Sequence, residues 1–148
     1  MQFYLNLTLE DEDVNDAIRR TLAPFVGNAD LQIRFNVPRA RLTDNVAHNL
    51  LRIVRELVVN AIKHGHATTI KVAGTLADSL LNFSVRDNGC GFDPNTCPGM
   101  AQGHFGIQGI RERIKRLNGS LSYDSSPNTG TKAVVTIDMP KDEDEEVA

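Results

Sequence analysis

A long glycine-rich stretch interrupts the regular patterns of the chain and separates a strand pattern from a helix pattern. It runs from Asp87 to Gly109 and holds six of the chain's eleven glycines. The helix pattern that follows begins near His104 or Phe105. Glycine lets backbone approach a ligand closely, and the free N–H groups at a helix N-terminus bind anions. The stretch therefore predicts a phosphate site under a mobile lid, with a plain surface loop as the alternative.

Hydrophobic periodicity along the rest of the chain predicts strands mixed with helices. Strands or extended segments are expected over residues 1–9, 31–37, 68–75, 80–87, 120–125 and 131–139, and helices over 11–25, 43–64 and 105–117. This order contains hairpins rather than a full set of βαβ crossovers. It predicts an α/β fold, a two-layer sandwich with helices on one face of a mixed sheet. We expect one domain over residues 1–140, with an entry arm and first helix over 1–30, followed by an acidic tail over 141–148.

Composition excludes several classes of protein. The chain is 41% hydrophobic and 24% charged, as is usual for a soluble globular domain. It has no apolar run of membrane-spanning length and no signal peptide, so we expect a cytoplasmic domain without membrane contact of its own. No basic cluster is interleaved with aromatics, which argues against nucleic acid as a partner. Cys90 and Cys97 match no zinc spacing and are expected to be free thiols, with a disulfide or redox role as the alternative.

Four polar residues of the long predicted helix share one of its faces. They are Glu56, Asn60, Lys63 and His64, and their spacings place them about one turn apart beside the apolar stripe. A carboxylate, an amide oxygen and a lysine in line are what a Mg-triphosphate needs: a possible base, a hard oxygen ligand and a counter-charge. A solvated helix face with incidental pairs is the alternative.

Polar residues at the strand ends add a second part to the candidate site. Asp87, at a strand end beneath glycines, could accept a hydrogen bond from an exocyclic amine such as that of adenine, or could be a turn residue. Asn88 could cap locally or face phosphate, and Thr131 could bond the base through water or be an ordinary strand threonine. The sequence contains no GxxxxGK[ST] motif and no protein-kinase HRD and DFG set, so those phosphate-binding classes are excluded.

Three segments together resemble the GHKL ATP-binding superfamily, which includes histidine kinases, DNA gyrase B, heat-shock chaperones and mismatch-repair ATPases. ELVVNAIKHG over Glu56–Gly65 resembles its N box, and DNGCGFD over Asp87–Asp93 resembles its first glycine box. GHFGIQGIRERIKRLNGSLSYDSSPNTGTKAVVTIDMP over Gly103–Pro140 resembles the second glycine box and closing strands of nitrate-sensor-type (NarX/DesK-like) histidine kinases. The three motifs in this order are specific evidence for the superfamily, whereas each motif alone would be weak evidence.

The resemblance implies the Bergerat α/β sandwich and a role for each matching residue. It makes Asn60 the Mg²⁺ ligand, Glu56 the residue that orients or activates a water in the ATPases, and Asp87 the acceptor of the adenine amine. It also brings Lys63 and His64 to the phosphates. Thr131 completes the adenine site, and the pocket and lid are formed by Gly89, Gly91, Gly103, His104, Phe105 and Gly106.

By this resemblance the chain is the ATP-binding catalytic domain of a two-component sensor histidine kinase. It would bind Mg-ATP, act on a histidine in a separate dimerisation segment and serve a downstream response regulator. The chain lacks room for that segment, so we expect either a fragment of a longer sensor, with a membrane anchor as one option, or a stand-alone protein. The alternatives are a serine kinase like the anti-sigma factors, a non-enzymatic nucleotide-gated interaction module, and an ATPase of gyrase or chaperone type.

Overall fold

A computed structural model of the chain describes residues 12–90, 104–126 and 129–139. Its helices are α1 (Val14–Val26), α2 (Asp44–Lys63) and α3 (His104–Arg116), with one 3-10 turn at Arg39–Arg41. Its strands are β1 (Asp30–Asn36), β2 (Thr69–Ala77), β3 (Leu80–Asp87), β4 (Gly119–Ser126) and β5 (Gly130–Asp138). Each predicted helix and strand within these ranges is present, with bounds shifted by up to a few residues. The extended segment predicted over 1–9 lies outside the described residues.

The five described strands form one mixed sheet in the order β1-β2-β3-β5-β4. β1 pairs with β2 in parallel, and the other neighbours are antiparallel. Side chains alternate along the strands: Ala133, Val135 and Ile137 of β5 are buried, whereas Lys132 and Asp138 are exposed. Because successive side chains point to opposite faces of a sheet, one face packs on the core and the other meets solvent. The predicted two-layer α/β sandwich is confirmed.

Helix α2 lies at the centre of the helical layer. Its N-terminus is capped by Thr43, whose side-chain oxygen accepts a hydrogen bond of 3.1 Å from the backbone N–H of Val46. Its apolar stripe is buried in the core, and the helix contacts α1, α3 and β3. Each fully buried aliphatic side chain of this stripe stabilises the fold by about 1.5–3 kcal/mol. No described helix is long and apolar enough to cross a membrane.

Helix α1 is joined to the edge strand β1 through one side-chain amide. The backbone N–H of Phe35 donates to Asn15 Oδ1 at 2.8 Å, and Asn15 Nδ2 donates to the carbonyl of Phe35 at 2.9 Å. Asn15 is held at the start of α1 by Asp13, whose carboxylate caps the helix and accepts from the Asn15 N–H at 3.0 Å. The two bonds to Phe35 occupy backbone groups that point away from β2, on the side of β1 where no described strand pairs with it.

Candidate functional site

A pocket opens between the C-terminal half of α2 and the adjoining ends of β3 and β5. Its wall is mostly apolar, with a few polar groups at its margin, which is the usual character of a small-molecule site. The lining residues are Leu57, Asn60, Ala61, Gly65, Val85, Asp87, Tyr123, Thr131 and Ala133. Asp87 and Thr131 pair directly across β3 and β5, and Asn60 faces them from α2. The structure therefore brings together three of the predicted site residues from three different elements.

Asp87 is half-buried at the last position of β3. Burial raises the pKa of its carboxyl, and hydrogen bonds from the backbone N–H groups of Gly89 and Thr131 offset part of that rise. The bond from the Gly89 N–H to Asp87 Oδ1 is 2.7 Å long and fixes the orientation of the carboxylate. A carboxylate has about four lone-pair sites, so two backbone donors leave it able to accept from a ligand.

Asn88 caps the start of β2. Local capping was the first of the two roles predicted for this residue. Its side-chain oxygen accepts hydrogen bonds from the backbone N–H groups of Thr68 at 2.8 Å and Thr69 at 2.9 Å. Its side-chain nitrogen donates to the Thr68 hydroxyl at 2.9 Å. These bonds turn the Asn88 side chain toward β2, so its contribution to the site is to fix the backbone that follows Asp87.

The segment that follows α2 and the start of the glycine-rich stretch are joined by a backbone hydrogen bond. The carbonyl of Gly65 accepts a hydrogen bond of 2.9 Å from the N–H of Cys90. A side chain at Gly89 would collide with that same carbonyl and with Asp87 Oδ1, so only glycine fits here. This contact closes one side of the pocket. Cys90 is disulfide-bonded, which contradicts the expectation of two free thiols, and Cys97 lies outside the described residues.

The four polar residues predicted on α2 do not all reach the pocket. Asn60 lines it and is half-buried. Lys63 is exposed at the last residue of the helix, and His64 is the half-buried C-cap, its N–H donating to the Asn60 carbonyl at 3.0 Å. Glu56 lies one turn before Asn60 but outside the pocket lining, where its carboxylate is 3.8 Å from the guanidinium of Arg55. The helix therefore places one of the four polar side chains at the pocket and the other three outside its lining.

Thr131 and the residue before it form the β5 side of the pocket. The Thr131 hydroxyl lies 2.9 Å from the Ser125 hydroxyl on the neighbouring strand, which sets its rotamer. Gly130 has a φ of +96°, and a Cβ there would collide with the carbonyl of Asp87. Glycine at this position is what lets β5 pair so closely with the end of β3.

Tyr123 of β4 is a pocket residue that the sequence did not single out. Burial raises the pKa of its phenol to about 12, although the positive charge of Arg111 opposes the shift. The Arg111 guanidinium of α3 lies 5.8 Å from the centre of the Tyr123 ring, a cation–π distance, and donates to the Leu121 carbonyl at 3.3 Å. The alternation of Leu121 and Tyr123 was the only available signal, and it does not distinguish a pocket residue from a core residue.

Several predicted site residues fall partly or wholly outside what the structure describes. Gly91 and Gly103 lie outside the described residues, as does the part of the predicted glycine-rich lid over residues 91–103. The backbone of His104, Phe105 and Gly106 forms the first turn of α3. Among the described residues, no group of three or more His, Cys, Asp or Glu side chains could hold a metal ion. The roles assigned to all the site residues stay predictions.

Comparison with known proteins identifies the family. The sequence profile of HATPase_c, described as histidine kinase-, DNA gyrase B- and HSP90-like ATPases, matches residues 45–142. The chain belongs to the HATPase_c family. This confirms the resemblance found in the sequence, and the matched region contains α2 apart from its first residue, β2 to β5 and every pocket-lining residue.

Relatives of this HATPase_c domain include named sensor kinases. The chain is 34% identical over 143 residues to the nitrate/nitrite sensor protein NarQ of Escherichia coli, covering 95% of the chain and 24% of NarQ. It is 31% identical over 135 residues to the sensor histidine kinase ComP of Bacillus subtilis, covering 88% of the chain and 17% of ComP. The chain thus spans a quarter or less of the length of these relatives.

The fold of this HATPase_c domain is also that of a solved ATP-binding domain. The ATP binding domain of PrrB from Mycobacterium tuberculosis superposes with a TM-score of 0.63 at 20% identity, covering 88% of the chain and 96% of that domain. At this identity the superposition shows the fold alone. It supports the two-layer α/β sandwich of the GHKL proteins as the architecture of the chain.

Proposed function

We propose that the chain is the catalytic ATP-binding domain of a sensor histidine kinase. It binds Mg-ATP and presents the γ-phosphoryl group to a histidine on a separate dimerisation segment, which then serves a response regulator. The observation that carries the proposal is the convergence of Asp87, Thr131 and Asn60 on one pocket. Membership of the HATPase_c family, with relatives named as sensor kinases, supports the same function.

The adenine end of the site is assigned to Asp87 and Thr131. The Asp87 carboxyl accepts the hydrogen bond of the exocyclic amine, and the Thr131 hydroxyl completes the contact with the base. Apolar walls from Leu57, Val85 and Ala133 provide a surface for the flat ring. Such a site rejects a base without the amine because a buried acceptor would then be left unpaired.

The phosphate end is assigned to the C-terminal part of α2. Mg²⁺ is commonly held by one or two protein oxygens together with substrate phosphates, and the half-buried Asn60 amide at the pocket margin fits that role. When bound, the ion neutralises phosphate charge. Lys63 is exposed one turn further on, where its ammonium can reach the phosphates, and His64 follows it. The first turn of α3, beginning at His104, provides backbone N–H groups.

Catalysis in this proposal is mainly positioning and charge neutralisation. The imidazole of the acceptor histidine is itself the nucleophile, so a strong general base is needed less than in a hydrolase. Glu56 lies one turn before Asn60, where its carboxylate orients the attacking group. Removing Glu56 should therefore slow transfer more than it weakens binding of ATP.

The first test is isothermal titration of the chain with a non-hydrolysable ATP analogue, with and without Mg²⁺. We expect binding that Mg²⁺ strengthens. The second test adds a histidine-bearing dimerisation segment and labelled ATP, and we expect acid-labile phosphate on that segment and none on the chain alone. No binding under either condition would refute the proposal. Acid-stable phosphoserine on a partner would instead support the serine-kinase alternative.

A further inference from the structure

The solvent face of the sheet carries a row of cations in register across three neighbouring strands. Lys71 of β2 lies directly opposite Arg86 of β3, and Arg86 lies directly opposite Lys132 of β5. All three are exposed, on the face away from the helices. We call Lys71, Arg86 and Lys132 the basic row. Arg34 of β1 lies diagonally beside it, because its neighbour Gln32 is the residue opposite Lys71.

The basic row has little compensating negative charge near it. Like charges directly opposite each other on adjacent strands destabilise a sheet, so three in succession is an unfavourable arrangement. The ion pairs found among the described residues join Arg20 to Glu12, Arg39 to Asp44 and Arg55 to Glu56, and none of them includes a member of the row. Asp124 of β4, opposite Lys132, is the acid at one end of the row; at the other end Gln32 faces Lys71 and donates a hydrogen bond of 3.1 Å to the carboxylate of Asp30.

The surroundings of the basic row restrict what can bind it. The solvent-facing positions that surround it are mostly small or polar: Ala73, Thr75, Asn82, Ser84, Ser120, Ser122 and Thr136, with the half-buried Val134 between Lys132 and Thr136. None of these residues is aromatic, so this face offers no platform for stacking nucleic-acid bases. The exposed large apolar side chain on this face is Leu80, at the opposite end of β3 from Arg86, so none lies beside the row to insert into a lipid surface. A flat polar face with several cations instead suits carboxylates presented by a polypeptide.

The acidic tail of the same chain is badly placed to fill this role. Lys132 precedes Met139 by seven residues of strand, which is about 23 Å. The tail would have to turn back along β5, and only its last acids, Glu145 and Glu146, are far enough along the chain to approach Lys132. Most of its negative charge would then lie short of the row.

We propose that the basic row binds an acidic segment of a partner protein. The partner lies on the sheet face opposite the nucleotide pocket, since Arg86 precedes Asp87 and Lys132 follows Thr131 on strands whose side chains alternate. The chain would therefore be able to hold a nucleotide and this partner at the same time. The inference does not depend on the proposed kinase activity.

The test titrates the full chain with poly-L-glutamate at low salt. The variant K71Q/R86Q/K132Q should bind it roughly tenfold more weakly or worse, because three exposed ion pairs are lost. The control R19Q/R52Q/K115Q removes the same charge from exposed helix positions and should bind like the natural chain. In the natural chain, poly-L-glutamate should cause the largest changes in amide NMR chemical shift at Lys71, Arg86 and Lys132, with or without ATP.

Three results would overturn the inference. One is equal weakening in the control variant, which would mean that only net charge matters. Another is tighter binding of oligothymidylate than of poly-L-glutamate through the same three residues, which would favour nucleic acid. The last is binding that appears only after Asp142, Glu143, Asp144, Glu145 and Glu146 are replaced by their amides, which would make the tail the occupant.

Discussion

Asp87 and Thr131 lie directly opposite each other on β3 and β5, and both line the same pocket. The backbone N–H of Thr131 also lowers the pKa of the Asp87 carboxyl, against the effect of burial. A slip of one residue in this pairing would turn the Thr131 side chain to the solvent face of the sheet. The register of β5 therefore decides whether the two residues can act on one ligand.

Replacing Asp87 with asparagine should weaken ATP binding by roughly ten- to a hundredfold. The asparagine presents an amide in place of the carboxyl that accepts the adenine amine, and losing a hydrogen bond to a charged group costs about 1.5–3 kcal/mol. Calorimetric titration with an ATP analogue measures the effect. Asp138→Asn, at an exposed position of β5, serves as the control and should bind normally. Unchanged affinity in Asp87→Asn would remove this residue from the adenine site.

The same substitution should change how stability depends on pH. Burial raises the pKa of the Asp87 carboxyl in the folded protein above its unfolded value of about 3.9, so the folded state binds the proton more tightly. The contribution of Asp87 to the free energy of unfolding is therefore full below the unfolded pKa and is lost as pH rises through the folded pKa. Urea unfolding should show Asp87→Asn gaining stability relative to the natural chain between acid and neutral pH. A difference that does not vary with pH would contradict this.

Replacing Asn60 with alanine should weaken the part of ATP binding that depends on Mg²⁺. The amide oxygen of Asn60 is the hard ligand that the pocket margin offers, and alanine removes it. Titrations with and without Mg²⁺ measure the gain in affinity due to the metal, which should largely disappear in the variant. Asn49→Ala, on the same helix but away from the pocket, should keep the gain. An equal gain in both variants would exclude Asn60 from the metal shell.

Replacing Gly130 with alanine should destabilise the fold by about 1–3 kcal/mol and weaken ATP binding. Gly130 has a φ of +96°, and the new Cβ would collide with the Asp87 carbonyl and displace the strand that carries the carboxyl. Urea unfolding and calorimetry measure the two effects. Gly109→Ala is the matched control, since a Cβ there meets nothing within 4 Å on helix α3. That control should instead gain about 0.5–1 kcal/mol of stability.

The sequence predicted the elements of the fold well because their signals are local. The predicted helix over 43–64 matches Asp44–Lys63 because an apolar stripe of helical period follows a capping threonine, Thr43. The predicted layers also proved right, since strands that alternate apolar and polar residues need cover on only one face. The strand order was not predicted: the insertion of β5 between β3 and β4 depends on contacts between residues far apart in the chain.

Those residues of the candidate site that belong to a recognisable sequence motif could be predicted. Residues that line the pocket only because of tertiary packing could not. Asn60, Asp87 and Thr131 were predicted as parts of one site, and the structure places them around one pocket. Tyr123 was missed because an inward aromatic on a strand gives the same pattern in a pocket as in a core. The disulfide at Cys90 was missed because spacing alone did not distinguish paired from free thiols.

The amide of Asn15 has a consequence for the behaviour of the protein in solution. An exposed sheet edge offers unpaired N–H and C=O groups to the strands of other molecules and so promotes aggregation. Asn15 uses both of these groups at Phe35, as a short piece of neighbouring strand would. A foreign strand that added to β1 would first have to displace it. The hydrogen bonds made by one side chain at the start of a helix thus oppose amyloid-like association at this edge.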